Sequence, residues 1–230
     1  ADLYRPDDQT VYPLVLMIHG GAWSAGDKWQ LQDHARELAQ AGFVALSINY
    51  RLAPKHQLTA QVDDCRWALK WAAEQASTWQ ADPSRLSLWG YSAGGHLAAL
   101  IATAPAPEAP PVRAVVAGGA PCEFSFLPPH SRALAHVLGG TRQAIPHAYE
   151  QAAPLNHVSP DDCPFYFFHG SSDLLVPPSS SQKMYAKLRE LNVETQYYTV
   201  DGRGHLLTFL DPEARRQAIA FLRQHSSEAP

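Results

Sequence analysis

The chain has 230 residues, of which 46% are hydrophobic and 17% are charged, and its formal net charge at neutral pH is −4. A chain of this size and composition can bury a substantial core, which excludes disorder as its general state. No segment concentrates lysine and arginine, which argues against a nucleic-acid partner, and the apolar runs fall far short of the ~20 residues of a membrane span. We therefore expect one globular domain, residues 1–230.

Short apolar runs alternate with helical patterns along the chain. The first run, LVLMIH at residues 14–19, is almost continuous, which is typical of a strand buried on both faces. Leu31, Ala35 and Leu38 then follow at helical spacing. The further predicted strands are residues 43–48, 85–89, 112–117, 165–168 and 193–200. The further predicted helices are residues 62–76, a helix beginning just after residue 92, 131–138, 146–152, 179–192 and 212–225.

Alternation of strands and helices predicts an α/β fold with a mostly parallel sheet and helices on both faces. Ligands of such sheets bind beyond the carboxyl ends of the strands, so the residues directly after each strand are the candidates for function. Residues 121–162 interrupt the alternation, because they are rich in proline and glycine and contain only short helical patterns. We expect this segment to form a partial cover over the site. The alternative is a surface excursion without contact to a ligand.

The segment Gly90-Tyr91-Ser92-Ala93-Gly94 lies between a predicted strand and a predicted helix. Glycines leave room for a tight turn beside the serine, whose hydroxyl is then exposed above the sheet. The following helix directs its positive end at developing negative charge. Motif and context together predict that Ser92 is a nucleophile.

A second loop, His19-Gly20-Gly21-Ala22-Trp23, comes straight after the first predicted strand. Its small residues allow backbone N–H groups to approach an anionic oxygen. We therefore predict an oxyanion hole formed by the N–H groups of Gly21, Ala22 and Ala93. His19 is interpreted as a structural hydrogen-bonding residue that holds the loop.

HGGAW and GYSAGGH together resemble the α/β-hydrolase superfamily, in particular small carboxylesterases near the hormone-sensitive-lipase-like branch. They also resemble the kynurenine formamidases, whose loop likewise reads HGGxW. The resemblance covers residues 14–225 and implies an α/β-hydrolase fold, and the chain length leaves no room for a large lid domain. The family usually begins with an antiparallel pair of strands. Only a short ADLYR stretch precedes residue 14 here, so we expect the first strand of the family to be missing.

In this fold the catalytic residues occur in the order serine, acid, histidine. Asp173 follows the predicted strand 165–168 in the turn HGSSDLLVP, and His205 follows the last predicted strand in GRGH, so these are the predicted acid and base. His169 leads into the acid turn and is interpreted as a turn-stabilising residue. Three other aspartates lie before that strand or too close in sequence to the base: Asp161, Asp162 and Asp201.

Apolar residues near these positions are candidates for a substrate pocket. For each of them, packing in the core is the alternative. The predicted substrate contacts are Trp23, Tyr91, Phe124, Phe126 and Leu174. The residues expected to extend the apolar lining are Leu127, Leu175 and Leu207.

These features predict a serine carboxylesterase that hydrolyses small or short-chain esters, such as acetyl or aryl esters, through a triad and an acyl-enzyme intermediate. One alternative is an amide hydrolase of the arylformamidase type, which would use the same triad. The other is a non-catalytic, hydrolase-like binding protein. The sequence contains neither HExxH nor GxxxxGK[ST], and we expect no metal and no cofactor.

The expected partner is a small-molecule ester, bound by a monomer or a homodimer. The three cysteines, Cys65, Cys122 and Cys163, form no CxxC pair and are interpreted as small buried hydrophobic residues. Because the opening ADLYRPDD has no signal-like apolar stretch, we expect a cytoplasmic location, with secretion as the open alternative.

Overall fold

A computed structural model describes residues 1–226, so the predicted domain end at residue 230 lies outside the described residues. The strands are β1 (Asp2–Tyr4), β2 (Tyr12–Ile18), β3 (Val44–Ile48), β4 (Ala81–Tyr91), β5 (Val115–Gly118), β6 (Phe165–Gly170) and β7 (Thr195–Val200). The helices are α1 (Gln32–Gln40), α2 (Leu58–Gln75), α3 (Ala93–Thr103), α4 (Ala135–Leu138), α5 (Pro146–Ala152), α6 (Pro178–Glu190), α7 (His205–Phe209) and α8 (Pro212–His225). Short 3-10 turns lie at Lys28–Leu31, Ala76–Trp79 and Pro154–His157.

The strands form one sheet in the order β1-β3-β2-β4-β5-β6-β7. Every pairing is parallel except that of β1 with β3, which is antiparallel. This arrangement confirms the predicted mostly parallel sheet. Asp2–Tyr4 of the ADLYR stretch pairs with Ala45–Ser47 at the sheet edge, so within residues 1–226 one antiparallel strand stands where the family usually has a pair.

Helices cover both faces of the sheet, as predicted. Successive side chains of a strand point to opposite faces, so Leu14, Leu16 and Ile18 of β2 enter a core with α2, α3 and α6. The intervening Val15 and Met17 enter a second core with α1 and α8. Burial on both faces explains why this stretch of the sequence is almost continuously apolar.

Some element boundaries differ from the predictions for local reasons. The predicted helix 131–138 is only the four-residue α4, which ends where Gly139 adopts a left-handed conformation, φ 96°. Helix α7 has five residues, too few for helical periodicity to appear in the sequence, and it begins at His205 itself. In residues 1–226, no helix is both long and apolar enough to cross a membrane.

The segment between β5 and β6 packs beside α2 and α3. Phe124 and Tyr149 are buried in the core that these helices share, and a cavity of about 370 Å³ separates α4 and α5 from α2. The segment therefore adds a layer to one flank of the sheet, where its short helices bury their apolar side chains.

Candidate active site

Ser92 lies in a sharp turn between β4 and α3. Its backbone has φ 56° and ψ −123°, a conformation that a non-glycine residue adopts only when its surroundings impose it. The Ser92 N–H donates to the Gly118 carbonyl at 2.8 Å. A Cβ on Gly94 would lie 1.9 Å from the carbonyl oxygen of Ile18, so only glycine allows the helix to approach β2 this closely.

Asp173 and His205 are in direct contact at the carboxyl ends of β6 and β7. The distance between Asp173 Oδ2 and His205 Nδ1 is 2.6 Å, and both side chains are buried. The other carboxylate oxygen, Oδ1, accepts the backbone N–H groups of Leu175 and Val176 at 2.9 Å each. The turn that contains Asp173 thus binds one carboxylate oxygen through its backbone N–H groups, while the other oxygen contacts the imidazole of His205.

A second histidine contacts the same carboxylate. His169 Nε2 lies 3.2 Å from Asp173 Oδ2 and 2.9 Å from the Val176 carbonyl. His169 therefore contacts two residues of the turn, in agreement with its interpretation as a turn-stabilising residue. Burial disfavours the charged form of Asp173, but hydrogen bonds from His169 and His205 outweigh it and hold the pKa of the carboxyl well below its usual range. Asp173 is therefore ionised at neutral pH.

Ser92 and His205 line one open cavity of about 490 Å³. Within the described chain no hydrogen bond joins Ser92 Oγ to the imidazole. Bonds of this kind are often long in ligand-free proteins and tighten when substrate binds. The remaining lining residues come from the HGGAW loop, the 3-10 turn after it, the acid turn and α7: Gly20, Gly21, Ala22, Ala25, Trp29, Gln30, Leu31, Tyr91, Leu175, Leu206 and Phe209.

The HGGAW loop runs along the wall of this cavity. Gly21 has φ 118°, and Ala22 and Trp23 have φ 51° and 59°, so three successive residues lie in the left-handed region. In the described part of the chain, the N–H groups of Gly21 and Ala22 donate to no other group. Ala93 is the first residue of α3, and the N–H groups of a first helical turn have no partner within the helix.

His19 anchors this loop through contacts with Gly20 and Tyr50, in agreement with its interpretation as a structural residue. Its Nδ1 donates to the Gly20 carbonyl at 2.7 Å, and its ring stacks on Tyr50 with centroids 4.4 Å apart. The Tyr50 hydroxyl donates to the His19 carbonyl at 3.0 Å. Burial lowers the pKa of His19, which keeps the ring neutral.

Trp23 is buried in the core that packs on α2 and α3 and does not line the cavity, contrary to its predicted substrate contact. Its indole Nε1–H donates to His96 Nδ1 at 3.1 Å, while His96 Nε2 donates to the Ala152 carbonyl at 2.8 Å. Gln61 Nε2 donates to the Trp23 carbonyl at 2.9 Å. This network ties the loop to α2, α3 and α5, because the polar end of a buried indole requires a partner.

Of the other predicted substrate contacts, only Tyr91 lines the cavity. Phe124 is buried against Trp23 and His96, Phe126 packs on the same core, and Leu174 is 99% exposed without lining the cavity. The adjacent Leu175 lines the cavity instead. An aromatic residue in a loop can pack in the core or contact a substrate, and the residue type alone does not show which of the two it does.

Six lining residues were not predicted from the sequence: Ala25, Trp29, Gln30, Leu31, Leu206 and Phe209. One signal was present, since Trp29 closely follows the HGGAW loop. Residues 121–162 were expected to cover the site, but among the described residues none of them lines the cavity. They contact the HGGAW loop through Phe124, which packs on Trp23, and the adjacent Ser24 through a hydrogen bond of 2.9 Å between His136 Nε2 and Ser24 Oγ. The predicted cover is therefore not observed at this cavity.

Comparisons with known proteins match most of the chain. A family model described as BD-FAE matches residues 1–188. The probable carboxylic ester hydrolase LipM of Mycobacterium tuberculosis (strain ATCC 25618 / H37Rv) is 32% identical over 212 residues, which cover 84% of this chain and 49% of that protein. The chain spans between 49% and 63% of the length of the first curated relatives that it matches.

Solved structures share the fold. A truncated form of a carbohydrate esterase from gut microbiota has a TM-score of 0.90 at 23% identity, covering 98% of this chain and 90% of that one. The esterase Est2 from the planctomycete Thermogutta terrifontis, with propionate bound, has a TM-score of 0.82 at 21% identity, covering 99% and 90%. With the observed sheet order, this likeness confirms the α/β-hydrolase fold that the motifs predicted.

Proposed function

Because the chain belongs to the BD-FAE family, we propose that it is a serine hydrolase that cleaves small or short-chain carboxylic esters. The observation that carries the proposal is a cavity lined both by Ser92, in its strained turn, and by His205, which is bound to the ionised Asp173. The names of its relatives support this reading, since LipM is named a carboxylic ester hydrolase and both similar structures are named esterases.

In the proposed reaction, His205 Nε2 accepts the proton of the Ser92 hydroxyl as Ser92 Oγ attacks the acyl carbon. The contact with Asp173 supports this role, because an Nδ1–H that donates to the carboxylate leaves Nε2 unprotonated and able to accept. The low pKa of the Asp173 carboxyl maintains the negative charge that stabilises the imidazolium formed in this step.

The carbonyl oxygen becomes negatively charged when the tetrahedral intermediate forms. We propose that the N–H groups of Gly21, Ala22 and Ala93 stabilise this charge, and the free N–H groups of the HGGAW loop support that assignment. Removal of one such donor typically costs about 3 kcal/mol of transition-state stabilisation.

Collapse of the intermediate breaks the bond between the acyl carbon and the alcohol oxygen. His205 gives its proton to the departing alcohol, and the acyl group remains on Ser92 Oγ. A water molecule then attacks the acyl carbon while His205 accepts its proton. The carboxylic acid leaves and the Ser92 hydroxyl is restored.

A short acyl group is the finer part of the proposal. The propionate bound to the similar esterase Est2 supports it, since that ligand is a short carboxylate in the same fold.

We also propose that the protein acts as a monomer or homodimer in the cytoplasm. Light scattering would test the first statement, and the free cysteines support the second because reducing compartments keep thiols unpaired.

Covalent labelling with a fluorophosphonate, combined with turnover of 4-nitrophenyl acetate, tests the proposed function. We expect one adduct on Ser92 by peptide mass spectrometry and none in Ser92→Ala. Ser179→Ala, a change at an exposed serine of α6, is the matched control and keeps the adduct. A folded protein without adduct and without ester turnover would instead be a binding protein. N-formylkynurenine as a second substrate tests the formamidase alternative, which requires faster cleavage of the amide than of the ester.

A further inference from the structure

Exposed apolar side chains concentrate around the Ser92 cavity. The described chain has nine large hydrophobic residues with exposed side chains, and six of them belong to the segments that build this cavity. We call these six the apolar rim: Trp29, Leu174, Leu175, Leu206, Leu207 and Leu210. Single exposed hydrophobic residues are ordinary, but a cluster of them marks a surface that binds apolar groups.

The cavity offers few hydrogen-bonding side chains. Among the described residues that line it, none is Lys, Arg, Asp or Glu. Apart from Ser92 and His205, the side chains able to form hydrogen bonds are Tyr91, Gln30 and the indole of Trp29, and the Tyr91 hydroxyl already donates to the His205 carbonyl. A sugar ring placed here would lose the water bound to its hydroxyls and regain few hydrogen bonds, which costs binding free energy.

The proposed mechanism determines which part of the ester meets which wall. The carbonyl oxygen lies toward the N–H groups of Gly21 and Ala22. The departing alcohol oxygen takes its proton from His205, so the alcohol part must lie on the His205 side of the cavity. That side is built by the acid turn and α7, which contribute Leu175 and Leu206.

Resting on the proposed esterase function, we propose that the alcohol part of the substrate is an apolar alkyl or aryl group that packs on Leu175 and Leu206. A sugar is excluded as the preferred alcohol. Leu206 is 76% exposed in the ligand-free protein, so most of its side chain is available for cover by a substrate. Trp29, 64% exposed, lines the cavity as well and extends the apolar wall.

Two esters of equal length and shape test this inference. Pentyl acetate and 2-ethoxyethyl acetate differ by one methylene replaced by an ether oxygen, and the ether alcohol is the better leaving group. We expect kcat/KM for pentyl acetate to exceed that for 2-ethoxyethyl acetate about tenfold, because the ether oxygen finds no donor on the side chains of Leu175 and Leu206. An acetylated methyl xyloside, as the sugar probe, should react more slowly than either.

A variant of the rim links this preference to the wall. In Leu206→Ser we expect the ratio of kcat/KM for pentyl acetate to that for ethyl acetate to fall about tenfold, since the contact of the longer chain is lost. Leu3→Ser, the same substitution at an exposed leucine of β1 outside the cavity, keeps the wild-type ratio.

The outcomes separate this inference from the proposed function. Turnover of all acetates with equal or better rates for 2-ethoxyethyl acetate or the xyloside would overturn the apolar alcohol site and leave the esterase function intact. An unchanged pentyl-to-ethyl ratio in Leu206→Ser would also overturn it. Absence of any turnover, together with absence of a fluorophosphonate adduct on Ser92, would overturn the proposed function itself.

Discussion

Replacement of Asp173 by asparagine tests the proposed role of the carboxylate, because it exchanges one carboxylate oxygen for an NH₂ group and leaves the shape of the side chain unchanged. Oδ1 accepts two backbone N–H groups, from Leu175 and Val176. Backbone N–H groups can only donate, so the amide oxygen of the asparagine must stay there. Its NH₂ group then takes the position of Oδ2, opposite His205 Nδ1 and His169 Nε2.

The tautomer of His205 changes as a result. An NH₂ group donates, so Nδ1 must become the acceptor and the ring proton moves to Nε2. Nε2 then cannot take the proton of Ser92, and no negative charge remains to stabilise the imidazolium. We expect kcat to fall about 10⁴-fold, which corresponds to about 5.5 kcal/mol of transition-state free energy.

Steady-state hydrolysis of 4-nitrophenyl acetate measures the effect, and circular dichroism checks that the variant is folded. Asp162→Asn is the matched control, because Asp162 also accepts a backbone N–H, from Ser159 at 2.9 Å, but lies before β6 at the opposite end of the sheet. We expect the control to keep wild-type kcat. A folded Asp173→Asn variant with kcat within tenfold of wild type would refute the tautomer argument.

Three further predictions concern stability. Gly94→Ala should lower the free energy of unfolding by more than about 3 kcal/mol in urea titrations, because its Cβ would lie 1.9 Å from backbone; a loss below about 1 kcal/mol contradicts the close approach. Trp23→Phe should cost about 1–2 kcal/mol by leaving His96 Nδ1 unpaired, and a neutral result would mean that water replaces the indole. Burial lowers the pKa of His96 to about 4, so its stabilising contribution is present above the unfolded pKa of about 6.5 and is lost as the pH falls toward 4. Between pH 7.5 and 5 the free energy of unfolding of the wild type should therefore fall by about 2 kcal/mol more than that of His96→Gln. An equal fall in both proteins would contradict the lowered pKa of His96.

Local sequence determined the elements and the turns of this protein. Buried parallel strands require continuous apolar runs, and the turn at Ser92 requires small residues where helix and strand almost touch, so both leave a mark on neighbouring positions. For the same reason the sequence could select Ser92, Asp173 and His205 as candidates, because each follows a strand. In the structure Asp173 contacts His205, and Ser92 and His205 line the same cavity. Their catalytic roles stay a proposal.

Only the tertiary structure decided which apolar side chains face the cavity. Trp23 and Phe124 lie in the core, whereas Trp29 and Leu206 face the cavity and solvent. Hydrophobicity favours burial but does not specify against which surface, and a loop has no periodicity that would reveal its orientation. The contact of a second histidine, His169, with the Asp173 carboxylate likewise depends on the path of the chain from the end of β6 into the turn, which spacing along the sequence does not reveal.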